Sequence, residues 1–152
     1  MVSKQNSQGF QAPDGSTYVT LTDGSGNLTG TVGAPGGATL LQSSSGNVAA
    51  ATATATLAAA ASKTTWITGA IITGAGATAG SVVNGTITGL LGGTMTFVVP
   101  VATGATVGNQ PIYLDFIPPI PASAVNTAIV VSVPSLGAGN TNSAVSAWGY
   151  QA

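Results

Sequence analysis

The stretch Ala51-Thr52-Ala53-Thr54-Ala55-Thr56-Leu57 decides how this chain is read. In extended backbone, successive side chains point to opposite faces, so Thr52, Thr54 and Thr56 share one face and the alanines the other. Alanine is a strong helix former, and Ala58 to Ala61 prolong the run, so a helix over residues 50–61 is the competing state. The period of two and the β-branched threonines favour a strand.

Similar pieces recur on the C-terminal side. Strands are expected over Thr65–Thr73, Ser81–Leu90, Thr94–Val101, Pro111–Ile117, Thr127–Val133 and Ala144–Tyr150. Between them lie Gly74-Ala75-Gly76, Gly92-Gly93, Gly104 to Gly108, Pro118 to Pro121 and Gly137 to Asn140, all rich in glycine or proline. About seven short strands separated by turns describe an all-β, antiparallel β-sandwich or jelly roll. Pro121 to Asn126 has room for one helical turn. Ile129-Val130-Val131 and Phe97-Val98-Val99 are apolar on both faces, which points to a covered outer face and an oligomer.

The N-terminal third has a different texture. Of 32 Ile, Leu and Val residues, 25 lie after residue 45, so the core belongs to residues 46–152. Residues 1–45 read as an arm. Tyr18–Leu21 and Leu28–Val32 flank Asp23-Gly24-Ser25-Gly26-Asn27, a hairpin signal, and residues 33–46 read as a linker. A lone hairpin is marginal in water, so the arm is expected to lie on another surface.

Charge excludes several functions. The 152 residues hold Lys4, Lys63, Asp14, Asp23 and Asp115, with no Glu, Arg, His or Cys. General acid–base and nucleophilic catalysis draw on tunable groups beside a nucleophile, and those are missing, so no catalytic residue is assigned and the chain reads as no enzyme. Phosphate recognition needs clustered Lys and Arg, so no nucleic acid partner is expected, and no anionic membrane surface for the same reason. Neither an apolar leader segment within residues 1–13 nor a run of 18 apolar residues is present. A charged fraction of 3%, against roughly 25% in ordinary domains, points to surface buried against other copies or another protein.

Weak motifs have plainer explanations. Asp23, Ser25 and Asn27 space their oxygens like the opening of a calcium loop, but Leu28 stands where glycine is required and no Glu closes the site, so no metal is assigned. Gly74 to Gly80 lacks the following helix of a dinucleotide fingerprint, and no cofactor is assigned. Asn27-Leu28-Thr29 and Asn84-Gly85-Thr86 match the glycosylation pattern only by chance. Thr52, Thr54 and Thr56 resemble one row of an ice-binding array, but no repeat of fixed length extends it. Trp66, Trp148, Tyr113 and Tyr150 have the chemistry to stack on sugars, although aromatics near strand ends more commonly anchor cores or interfaces.

Four turn-rich runs carry a resemblance. They are Ala61 to Gly69 (ASKTTWITG), Gly89 to Thr94 (GLLGGT), Pro118 to Ala124 (PPIPASA) and Gly137 to Asn142 (GAGNTN), with an opening from Pro13-Asp14-Gly15-Ser16 to Asn27-Leu28. Together they resemble a family of small virion proteins of tailed bacteriophages. The resemblance implies a capsid decoration, or cement, protein with a jelly-roll-like fold, often a homotrimer, held on the capsid exterior by the major capsid protein. It transfers no functional residue. The alternative is a head-fibre or tail-associated β domain that binds a host-surface glycan. A glycan hydrolase would need two carboxylates at a set separation, and two of the three aspartates lie in the arm.

Overall fold

Every element of the computed structural model is a strand; it describes Gly30, Thr31, Ala34, Pro35 and residues 37–152. Among these residues there is no helix. The short strands β1 (Gly30–Thr31) and β2 (Ala34–Pro35) pair with each other within a unit that runs to Gly37. The expected hairpin from Tyr18 lies outside the described residues, apart from Gly30 and Thr31.

The second unit, Ala38–Ala152, contains eight strands: β3 (Thr39–Ser44), β4 (Ala53–Leu57), β5 (Thr65–Gly74), β6 (Ser81–Thr88), β7 (Met95–Val101), β8 (Ile112–Pro121), β9 (Ile129–Val133) and β10 (Ser143–Gln151). They form two antiparallel four-stranded sheets, ordered β3-β10-β5-β8 and β4-β9-β6-β7. Pairing is nested: β3 with β10, β4 with β9, β5 with β8, and β6 with β7. β10 with β5 and β6 with β9 complete the sheets.

The alternation read at Ala51–Leu57 governs β4. Ala53, Ala55 and Leu57 are buried and Thr54 and Thr56 exposed. β9 and β10 repeat the alternation with Ile129, Val131, Val133, Val145 and Ala147 inward. The inward residues of both sheets join one apolar cluster, which also takes in Ala77, Leu90, Ala122 and Leu136. Sheets that share a core in this way make a sandwich-like fold. Burial of such side chains is worth about 1.5–3 kcal/mol each, and it is what sets the register of every strand.

Three sequence expectations are corrected. Thr39–Ser44, read as part of the linker over residues 33–46, is edge strand β3, because six β10 residues from Ser146 to Gln151 supply backbone partners that no local pattern announces. Pro118 to Pro121, read as a separating turn, belongs to β8. Proline lacks an N–H, and an edge strand tolerates that because one side of it has no ladder to feed. Pro121 to Asn126 makes bends and turns and no helix. By contrast, β4 settles the strand-or-helix alternative over residues 50–61 in favour of a strand.

β5 carries two irregularities that shape the outer surface. Its pairing with β10 shifts between Trp148 and Gly149, and its pairing with β8 passes from Ile67↔Ile120 to Gly69↔Asp115. Phe116 to Pro119 therefore form an excursion on β8, with Ile117 left 93% exposed.

Candidate functional site

The outward face of the β3-β10-β5-β8 sheet collects the aromatic residues. Cross-strand neighbours share a face. One row runs Leu40, Tyr150, Trp66, Pro121; the next Gln42, Trp148, Gly69, Asp115; the third Ser44, Ser146, Ile71, Tyr113. A fourth, shorter row pairs Ala144 with Thr73.

Trp66 and Tyr150 stack with centroids 5.9 Å apart and planes 14° from parallel. Tyr150 is only 6% exposed, and this burial pushes its hydroxyl pKa above the ordinary value of 10.0. Trp148 lies over Gly69: a Cβ added there would sit 2.6 Å from Cζ2 and 2.7 Å from Cε2 of the indole. A glycine inside a strand commonly marks such a close approach. Thr68 Oγ1 donates to the Trp148 carbonyl at 3.2 Å and pins the bulge beside it. The indole thus packs closely over the Gly69 backbone, and the ring stays half-buried.

Beyond Ala144 the face runs into a shallow hollow of about 280 Å³ bordered by Asn47, Thr73, Asn142 and Ser143. Behind it, Asn140 is buried, and its Nδ2 donates to the carbonyls of Ala75 at 2.6 Å, Asn142 at 3.1 Å and Gly76 at 3.3 Å. This fastens the β5–β6 turn to the start of β10. Asn140 Oδ1 and Ser143 Oγ are buried without a hydrogen-bond partner among the described residues. Buried polar atoms are paired as a rule, so these two need an explanation.

The outward face of the other sheet is chemically different. Thr54, Ser132, Thr86 and Thr96 form a row of hydroxyls across all four strands. Thr54 Oγ1 and Ser132 Oγ are 3.3 Å apart. Thr56, Val130 and Thr88 make the neighbouring row. Of the threonines singled out in the sequence, Thr54 and Thr56 join these rows, and Thr52 precedes the strand. The hydroxyl array is assembled from four separate strands, so a search for tandem repeats cannot find it.

Lys63 and Asp115 are the charged side chains among the described residues; Asp23 and its turn lie outside them. Lys63 Nζ donates to Thr39 Oγ1 at 3.0 Å, at the start of β3. Among the described residues no three His, Cys, Asp or Glu side chains cluster as a metal site would require, and no helix is long and apolar enough to cross a membrane. Gly74 to Gly80 form the turn after β5, where a Cβ on Gly76 would collide with the Ala102 carbonyl. Gln42, Asn140 and Gly69 carried no individual signal in the sequence, although a glycine inside a strand such as Gly69 is the kind of mark that can betray a close approach.

Comparison with protein-family models, with curated proteins and with solved structures finds no match to this chain.

Proposed function

We propose that this chain is a structural virion protein with a jelly-roll fold, which decorates and stabilises a tailed-phage capsid through contacts between copies and with the major capsid protein. The observation that carries the reading is an uncharged, partly apolar exterior. Val82, Leu91, Val98, Ile117 and Val125 are each more than half exposed, on a unit whose charged side chains are Lys63 and Asp115. Monomeric proteins rarely tolerate large apolar patches without charge between them, whereas interfaces between protein copies are depleted in charge. The nested pairing of first strand with last and second with second-to-last supports the jelly roll, an architecture shared by viral capsid and lectin domains. Fold by itself does not give function, so the surface carries the argument.

In this reading the domain from Ala38 holds the copies together as a trimer, and the N-terminal segment anchors them by adding strand edges to the shell. Cryo-electron microscopy of particles bearing the protein tests it. Density for the eight-stranded unit on the outside of the head is expected, and density confined to the tail would overturn the decoration role. A variant lacking residues 1–37 should remain a folded oligomer that no longer binds particles. Equal occupancy by that variant would move the anchor onto the eight-stranded unit.

A further inference from the structure

We infer that the outward face of the β3-β10-β5-β8 sheet binds a neutral oligosaccharide, which stacks on Trp148 and runs along β10 into the hollow bordered by Asn47, Asn142 and Ser143. The ring geometry comes first. Trp148 packs closely over Gly69, so its indole is an apolar surface steadied by the sheet, with less freedom to lose on binding than a free side chain. A pyranose presents C–H groups on its flat side and hydroxyls around its rim. The row through Trp148 matches that pattern, with exposed Gln42 on one side and exposed Asp115 on the other. The Gln42 amide donates to and accepts from rim hydroxyls, and the Asp115 carboxylate accepts from them.

The path beyond the ring is the second part. Ser146 and Ala144 follow Trp148 at alternate positions of β10, and their small side chains keep the floor low. From Trp148 to Ala144 is about 14 Å at about 3.4 Å per residue, the length of a short oligosaccharide. The path ends in the hollow, whose rim carries the exposed amides of Asn47 and Asn142, while Ser143 turns its side chain inward with Val145 and Ala147. Those amides donate to and accept from the hydroxyls of a terminal sugar ring. The hollow, about 280 Å³, sits at the lower edge of the roughly 300–1,000 Å³ common for ligand pockets, the right scale for one sugar ring.

Charge selects a neutral sugar. Asp115 is the single charge in the four rows, and it repels phosphate and carboxylate groups. A second copy of the chain fits less well, because interface cores are depleted in charge and Asp115 flanks the ring. This inference is independent of the capsid reading, which is decided on particles rather than on sugars.

Titration of the full-length chain with cellohexaose and with N-acetylchitohexaose, followed by tryptophan fluorescence, is the test. Saturable binding of at least one probe is expected. Trp148→Ala should weaken it by about tenfold or more, while Trp148→Phe, which keeps a ring over Gly69, retains part of the affinity. Gln42→Ala and Asn142→Ala change exposed side chains and keep the test open if Trp148→Ala fails to fold; each should weaken binding severalfold. Absence of saturable binding of both probes overturns the inference. So does unaltered affinity in Gln42→Ala and Asn142→Ala. A fall in oligomer mass on Gln42→Ala or Trp148→Phe, with no saccharide bound by the parent chain, would assign the face to a second copy instead.

Discussion

The two sheets share one core and differ on their outer faces. The β3-β10-β5-β8 sheet turns out Leu40, Trp66, Trp148, Ile71 and Tyr113, together with a shallow hollow at its end. The β4-β9-β6-β7 sheet turns out Thr54, Ser132, Thr86 and Thr96. Inward, both present the same aliphatic residues, because the core demands volume and rejects polar atoms. Outward, no such demand applies, so chemistry is free to diverge. The face with shaped aromatic and polar groups is the one suited to recognition.

The largest expected effects test whether the core is shared. Ile67 and Ile87, one from each sheet, are fully buried. Ile67→Ala and Ile87→Ala should each lower unfolding free energy by about 2–5 kcal/mol in denaturant titrations. A loss below about 1 kcal/mol for either would detach that sheet from the common core.

Next comes the surface that makes the faces unequal. Gly69→Ala forces the Trp148 ring and the Leu114 carbonyl, 2.9 Å from the new Cβ, to give way. It should cost about 1–3 kcal/mol, whereas Gly92→Ala, which meets nothing within 4 Å, should stay within about 0.5 kcal/mol. Equal costs would mean that the ring does not rest on Gly69.

Tyr150 gives the aromatic face an alkaline signature. Its folded-state pKa is raised by burial, so the unfolded chain loses the hydroxyl proton first as pH climbs. The contribution is intact below the ordinary value of 10.0 and fades as pH rises from there through the folded value. Denaturant midpoints should therefore fall more steeply above about pH 10 in the parent than in Tyr150→Phe. Identical profiles would show that another group governs the alkaline loss.

The smallest effect belongs to the hydroxyl face. Thr86→Val keeps the β-branched shape on a sheet surface and should change stability by no more than about 0.5 kcal/mol. A larger loss would mean that the hydroxyl row is a connected network, contributing as the aromatic face does.

Much of the eight-stranded unit was legible in residue order. The alternation at Ala51–Leu57 gave β4, and the runs at Thr65, Ser81, Thr127 and Ala144 gave β5, β6, β9 and β10 to within two residues at each boundary. These signals are local: period-two burial and turn residues act on neighbours in the chain. β3 was missed because TLLQSS has no clear alternation, and its strand state comes from pairing with β10 about a hundred residues later. The extension of β8 through Pro118 to Pro121 was missed because proline marks turns unless an edge position excuses it.

For the candidate site, the sequence by itself determined the aromatic inventory and the scarcity of charge, since composition does not depend on folding. It also determined which residues could alternate inward, because the backbone period is intrinsic to the extended chain. Only the tertiary structure decided that Trp148 would lie on Gly69, that Gln42 and Asp115 would flank it, and that four strands would align their hydroxyls. Those neighbours lie up to about a hundred residues apart in the chain, and register between distant strands is set by burial of a shared core rather than by any local preference.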